Sequence, residues 1–330
     1  MRYRAFGRTG LQVSELVFGG GFVGGILIHA DDDTKLKALR CGLDGGMNWI
    51  DTAPSYGDGQ SEEALGWLLK EVDAKPYLST KVRLDLARVD DLPGKIEASL
   101  VQSLKRLDRA SVDLFQLHNP IGPETTGATI GVRQVLGTNG VAATFERLRD
   151  QGLFDFIGIT ALGDPGSLRE VIASGRFDSA QVYYNLLDPS ASWPSAGQKV
   201  PAGWAEPNYE GVLGACREHG VAAMNIRVLA AGVIATDLRH GREMPIVQGF
   251  DMAAEEARVR AVFKKLGERY GTRAQTAIRF ALANPDLSCV VVGFAEIGHI
   301  EEALAGAEMG PLPEEALAAL REVYAAPPAS

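Results

Sequence analysis

Cysteine is scarce in this chain of 330 residues: three, at Cys41, Cys216 and Cys289, far apart, with neither a CxxC pair nor a His-containing metal spacing around them. A disulfide framework and a cysteine-ligated metal site are therefore excluded, and no metal is expected. A reducing cytoplasm fits such usage. Cys289 stands in an apolar run and Cys41 in a helix-like stretch, so the thiols read as buried and inert. Basic charge is in deficit as well. Lys plus Arg number 33 against 42 for Asp plus Glu, a net charge of −9, and no basic cluster offers a footprint for phosphate backbones. Nucleic acid is excluded as a partner. Long apolar runs are missing too: no window of about 18 uncharged apolar residues occurs, and the charged start MRYRAFGRTG leads into no apolar leader segment. The chain is expected to be neither exported nor membrane-spanning.

With 46% hydrophobic and 23% charged residues the chain has ample material for a large core. Tyr3 to Phe6 and Leu11 to Val13, around Gly7, Arg8, Thr9 and Gly10, read as a small β-hairpin that caps the main fold. Eight short apolar runs then read as buried strands: Leu16 to Phe18, Trp49 to Ile50, Tyr77 to Thr80, Val112 to Leu117, Phe156 to Thr160, Ser179 to Tyr183, Val221 to Asn225, and Ser288 to Val292. Helical periodicity with plausible caps fills 33–43, 61–71, 92–107, 141–151, 167–174, 209–218 and 253–270. Strand and helix alternate evenly, with no Pro/Gly/Ser linker partway. That pattern predicts an α/β fold, a single (β/α)8 TIM barrel spanning 1–330 as one domain. Two connections are unusually long: Asn119 to Gly140, and Leu186 to Asn208 with Pro189, Pro194, Pro201 and Pro207. Loops of this length commonly cover a site, here the C-terminal mouth of the barrel. The tail from Pro327 to Ser330 is expected to fray.

Gly19, Gly21 and Gly24 match GxGxxG directly after a strand-like run. A dinucleotide fold needs the third glycine to open a helix that holds the pyrophosphate, whereas Ile26, Leu27, Ile28 and His29 intervene before the acidic run Asp31, Asp32, Asp33. The glycines read instead as a loop that approaches a ligand at the barrel mouth, which makes Gly21 and Phe22 candidate contacts.

In a parallel barrel the chemistry lies where strands end at the C-terminal face. Asp51 follows the second run, Tyr56 lies in the same loop, Lys81 follows the third and His118 the fourth. Each alone has a bland reading as a cap, a packed aromatic, a solvated end or a core histidine. Four on consecutive exits form a proton-handling cluster. A tyrosine hydroxyl, with a pKa of about 10, needs a nearby cation to act as an acid at neutral pH, and Lys81 is the one at hand. Asp51 would hold Lys81, and His118 would orient a carbonyl oxygen beside Tyr56.

The strings DTAPSYGDGQSEEALG, STKV and FQLHNP closely resemble the signature segments of the aldo-keto reductase superfamily. The resemblance continues through FIGIT, QVYYN, RVLAAGVI and VVVGFAEIGHIEEAL, nearly the whole chain. It implies Asp51, Tyr56, Lys81 and His118 as the catalytic tetrad, with Tyr56 as general acid in carbonyl reduction and general base in alcohol oxidation. It implies a nicotinamide cofactor extended across the barrel mouth: Thr160 and Gln181 at the carboxamide, Arg227, Leu229 and Gly232 along the pyrophosphate, and Gly293, Phe294, His299 and Glu302 at the adenosine end. Asp51, Gly21 and Phe22 join that cofactor set. On residue chemistry alone Gln181 could equally make an interior hydrogen bond, whereas Arg227, a guanidinium in an apolar segment, suits a phosphate.

Three departures matter. The family's frequent basic residue near the ribose 2′-phosphate is replaced by Ala295, Glu296 and His299, so the lean to NADP(H) is slight and NAD(H) is the alternative. Ala161 stands where an Asn is usual, and Ile226 where an aromatic often stacks. Substrate contacts are expected from Phe22, Tyr56, His118, Trp193 and Trp204, and the substrate is a small-molecule aldehyde, ketone or alcohol such as a sugar. A Schiff-base, aldolase-like use of Lys81 and a cofactor-binding regulatory protein are the alternatives. A monomer or small homo-oligomer is expected.

Overall fold

A computed structural model describes residues 1–193, 204, 207–239, 241 and 251–326. Two short antiparallel strands, β1 (Tyr3–Ala5) and β2 (Gln12–Ser14), form the expected hairpin. Eight parallel strands then close on themselves: β3 (Leu16–Gly19), β4 (Trp49–Asp51), β5 (Tyr77–Val82), β6 (Val112–Leu117), β9 (Phe154–Ala161), β10 (Ser179–Tyr183), β11 (Ala222–Ile226) and β12 (Leu287–Gly293). This is the (β/α)8 barrel. Strands β7 (Ile121–Gly122) and β8 (Ile130–Gly131) pair with each other in the first long connection and precede a short helix, Val132–Leu136. That connection is therefore structured, and Ile121 also bridges to Gly163 just beyond β9.

Side chains alternate across each strand, so one set faces the helices and the other the barrel axis. Phe18, Ile50, Phe115 and Ile159 belong to the large outer core packed on helices. Val17, Trp49, Leu114, Met224 and Cys289 fill the N-terminal end of the barrel with Phe6 and Val13 of the hairpin, and the Phe6 and Trp49 rings lie 4.8 Å apart. The hairpin thus plugs that end. One step further along the axis the inward set becomes polar, with Asp51, Ser79, Lys81, Gln116, Thr160, Ser179 and Gln181 all buried. Strand register puts them at matching heights: Asp51 beside Ser79, Lys81 beside Gln116, Thr160 beside Gln181. A polar layer over an apolar floor is what the strand-end argument requires.

Helices occur near the expected spans, at Asp32–Asp44, Gln60–Leu68, Leu92–Leu107, Val141–Asp150, Pro165–Ala173, Val212–Glu218 and Met252–Leu266. Further helices at Arg273–Leu282, Ile297–Glu308 and Glu314–Tyr324 complete the outer layer. The first of these opens on a reciprocal capping box between Thr272 and Gln275. Ile26–His29 corrects one expectation. These residues form a single helical turn behind Gly25, whose φ of 72° suits a residue without Cβ. One turn is still too short to serve as a dinucleotide helix. Of the second long connection, Pro194 and Pro201 lie outside the described residues, as does the tail 327–330. Among the described residues no helix is long and apolar enough to cross a membrane. Cys216 and Cys289 are buried, and burial pushes the Cys216 thiol up to about 12 and raises Cys289.

Candidate active site

Strand β5 carries Lys81 on its inward face near the mouth, where the side chain has no exposed surface. Its Nζ donates to Asp51 Oδ2 at 2.6 Å, to the Thr52 carbonyl at 2.8 Å and to Tyr56 Oη at 3.2 Å. Three acceptors saturate the three ammonium donors. Burial alone would push the ammonium down, yet Asp51 and then Tyr56 outweigh it, and the Lys81 pKa is raised. Tyr56 is half-buried, with its ring edge-on to His118 at 5.8 Å between centroids. Burial raises the phenol pKa, Lys81 and Arg227 pull it down, Asp51 pushes it up, and the net direction is upward. Tyr56 is therefore a protonated donor at neutral pH. His118 is held well below 6.5 by burial first and by Lys81, Arg83 and Arg227 next, so its imidazole is neutral and carries one N–H. The structure brings all four tetrad candidates together.

Sequence reasoning missed the layer beneath. Asp51 Oδ1 accepts from Ser79 Oγ at 2.7 Å, Gln181 Nε2 at 2.9 Å and Gln116 Nε2 at 3.2 Å. The signal was present in the period of two, since Ser79 lies two residues before Lys81 and Gln116 two before His118. Gln181 does make the interior hydrogen bond that its side-chain chemistry allowed.

A nicotinamide cofactor needs polar partners for its carboxamide, and buried Thr160 Oγ1 is without a hydrogen-bond partner among the described residues. Its register neighbour Gln181 commits its amide nitrogen to Asp51, so its oxygen is the atom that could accept a carboxamide N–H. These two fit a carboxamide. Arg227 opens the turn after β11 with φ 62°, and Ala230, Ala231 and Gly232 follow at 45°, 58° and 96°. Left-handed alanines are strained, a feature that clusters at ligand sites. Asn185 Nδ2 holds the Arg227 carbonyl at 3.1 Å, and half-buried Leu229 lies within the same turn. Beyond β12, exposed Gly293 stands at the strand end, and His299 Nε2 lies 3.5 Å from Glu296 Oε1 while its Nδ1 accepts from the Ala295 N–H at 3.4 Å. Half-buried Glu302 lies one turn further along that helix.

Other candidates are placed differently. The Phe294 side chain is fully buried against Phe18, so only its backbone could meet a ligand, and its carbonyl already accepts from Ile26. Trp204 is corrected outright as a substrate contact. Its ring is fully buried, edge-on to Tyr324 at 5.2 Å, and its Nε1 donates to the Ala326 carbonyl at 2.7 Å. Trp193 is partly buried against the outer core. Phe22, by contrast, is exposed beside His29, and a Cβ on neighbouring Gly21 would stand 3.7 Å from the Tyr56 ring. Among the described residues no group of three His, Cys, Asp or Glu could hold a metal ion.

Known proteins share this frame. A family model described as the Aldo/keto reductase family matches residues 15–325. An aldo-keto reductase of Bacillus subtilis is 36% identical over 127 residues, 36% of this chain and 38% of that protein. The L-galactose dehydrogenase of Arabidopsis thaliana is 25% identical over 92% of this chain and 86% of its own. Among solved structures, an aldo-keto reductase from Bacillus halodurans in its holo form superposes with a TM-score of 0.75 over 98% of this chain and 96% of that one, at 22% identity.

Proposed function

The chain belongs to the aldo/keto reductase family, and from that premise we propose that it is a cytoplasmic NAD(P)-dependent oxidoreductase acting on an aldehyde, a ketone or the corresponding alcohol. The single observation that carries this reading is Lys81, fully buried between the Asp51 carboxylate and the Tyr56 hydroxyl. A bound nicotinamide supplies or accepts the hydride. In reduction Tyr56 gives its proton to the carbonyl oxygen, and in oxidation the Tyr56 oxygen takes the proton that the alcohol hydroxyl gives up. Lys81 stabilises the phenolate that forms, and Asp51 keeps Lys81 charged and in place. Neutral His118 donates its N–H to the substrate oxygen and orients it beside Tyr56. Thr160 and Gln181 hold the carboxamide, the Arg227 to Gly232 turn the pyrophosphate, and Gly293, His299 and Glu302 the adenosine end. The reading takes 1–330 as one catalytic barrel domain.

The Asp51 ion pair weighs against a Schiff-base role for Lys81, because a nucleophilic amine must be neutral. Cofactor choice turns on Glu296 and His299. Family habit favours NADP(H), but the acid 3.5 Å from the local imidazole offsets positive charge that a 2′-phosphate would need. The chain is therefore expected to accept NAD(H) alongside NADP(H). The dehydrogenase named for L-galactose makes sugars with a secondary or anomeric hydroxyl the first substrates to try. Aldehydes, ketones and aldoses should be screened in both directions with both cofactors. Turnover with at least one pair is expected, and failure to bind either cofactor overturns the reading.

A further inference from the structure

Asp51 Oδ2 is committed to Lys81, so the orientation and charge of the carboxylate are governed from its other oxygen. Of the three donors on Oδ1, the two amides belong to flexible side chains, and Gln181 has a second task at the cofactor. Ser79 differs from both. Its hydroxyl has one proton, and the Trp49 indole Nε1 donates to the same oxygen at 3.0 Å, which fixes Ser79 as an acceptor on that side. The Ile50 carbonyl, 3.5 Å away, is too distant to compete for the proton, so it points to Asp51 Oδ1 at 2.7 Å. Trp49 is itself locked in the apolar floor between Phe6 and Tyr77. A chain of donors therefore runs from the floor of the barrel to its mouth: Trp49 to Ser79 to Asp51, which in turn holds Lys81 against Tyr56.

We propose that Ser79, oriented by Trp49, is a positioning residue that sets the acid strength of Tyr56 through Asp51 and Lys81. The inference rests on the proposed function for its purpose and on geometry for its content. A donor on Oδ1 draws off part of the carboxylate charge, and so leaves more of the Lys81 field acting on the phenol. Removing it concentrates negative charge in the pair and makes Tyr56 a weaker acid. The charged and titratable groups facing Asp51 and Tyr56 are Lys81 on β5, His118 after β6, Arg227 after β11 and Cys289 on β12. A change at Ser79 removes none of these groups.

The test is a titration of the Tyr56 13Cζ resonance in cofactor-free chain, assigned by its loss in Tyr56→Phe. Ser79→Ala should move the midpoint up by roughly half a pH unit or more, an effect of the size hydrogen bonds to charged groups produce. Ser79→Thr, which restores a hydroxyl, should return it. Trp49→Phe keeps an aromatic ring in the floor but removes the N–H donor together with the pyrrole part of the indole, so it should shift the midpoint in the same direction by less, and it carries the test if Ser79→Ala does not fold. The alkaline limb of kcat for reduction should move with the midpoint. Midpoints that coincide with the wild type, or that fall, overturn the proposal. A chain that turns over no carbonyl compound with either cofactor overturns the proposed function instead, and the resonance still decides this inference.

Discussion

The Lys81 ammonium stands 3.2 Å from the Tyr56 hydroxyl, inside a barrel wall that leaves Lys81 no exposed surface. At that separation, shielded from water, the cation acts on the phenol far more strongly than it would in solvent. Tyr56→Phe removes the transferable proton and little else. Turnover should fall by about 10²- to 10⁴-fold, while the cofactor dissociation constant stays within about twofold. Turnover at the wild-type level would remove Tyr56 from the proton path.

His118 should remain neutral through the physiological range. Burial and three nearby cations hold its pKa well below 6.5. In the unfolded chain the imidazole takes up a proton below about pH 6.5, whereas in the native chain it does not. The unfolded state then binds more protons, and stability contributed at this position falls as pH drops. Imidazole 15N shifts followed from pH 8 to pH 5.5 check it. A protonation midpoint near 6.5 for His118 would contradict the burial argument and with it the neutral-donor role.

Asp188 gives the opposite sign. Burial pushes its carboxyl up to about 7, against the pull of Ser190 and Arg258 and with the push of Glu255. Oδ1 accepts from the Ser190 N–H at 3.0 Å, but Oδ2 is without a hydrogen-bond partner among the described residues. An unfolded Asp ionises near pH 3.9, so between about pH 4 and 7 the native chain keeps a proton that the unfolded chain loses, and stability declines as pH rises. Asp188→Asn is neutral throughout. It should gain on the wild type across that window, by on the order of 2 to 4 kcal/mol at pH 8 and by little at pH 4. Denaturant midpoints at several pH values measure the gain, and a pH-independent difference would refute it.

These effects divide along the line between what was legible in the chain and what was not. The eight barrel strands and the four polar exits are local: an apolar run of two to six residues followed by Asp, Lys or His is written in consecutive positions. Ser79 and Gln116 were readable by the same rule, one period of two behind Lys81 and His118, but serine and glutamine announce no chemistry by themselves. Trp204 was not readable at all. Its partner Ala326 is 122 residues away, and an aromatic in a proline-rich loop looks the same whether it lines a pocket or seals a helix. Asp188 is the same case, because its burial is made by segments remote in sequence. The helix Arg273–Leu282 was legible in its Thr272 and Gln275 capping pair but falls beyond the long periodic stretch that precedes it.

The glycine loop makes two contrasting predictions. A Cβ on Gly24 would stand 2.3 Å from the Phe294 backbone nitrogen, because the loop crosses directly over the end of β12. Backbone cannot yield as a flexible side chain can, so Gly24→Ala should cost about 1 to 3 kcal/mol of stability. A Cβ on Gly21 meets only the Tyr56 ring, at an ordinary contact distance of 3.7 Å. Gly21→Ala should stay within about 0.5 kcal/mol. Thermal unfolding of the two variants side by side distinguishes close packing from open space, and equal destabilisation would mean the loop is placed otherwise.

Trp204 and Phe22 separate anchoring from recognition. Trp204 ties its loop to the C-terminal segment through the Ala326 carbonyl and the Tyr324 ring, and Tyr324 Oη in turn donates to the Leu186 carbonyl at 2.9 Å. Trp204→Phe keeps much of the buried ring and loses the N–H, which leaves a carbonyl without its donor at a cost of about 1 to 3 kcal/mol. Substrate KM should not change, since the ring has no surface to offer a ligand. Phe22 has the reverse profile, exposed next to Gly21 with an edge contact to His29 at 5.6 Å. Phe22→Ala should leave the unfolding temperature nearly unchanged and raise KM several-fold for an apolar carbonyl substrate, the loss expected when about half of an aromatic contact is removed. A KM effect at Trp204 with none at Phe22 would reverse the assignment and return the second long connection to the substrate pocket.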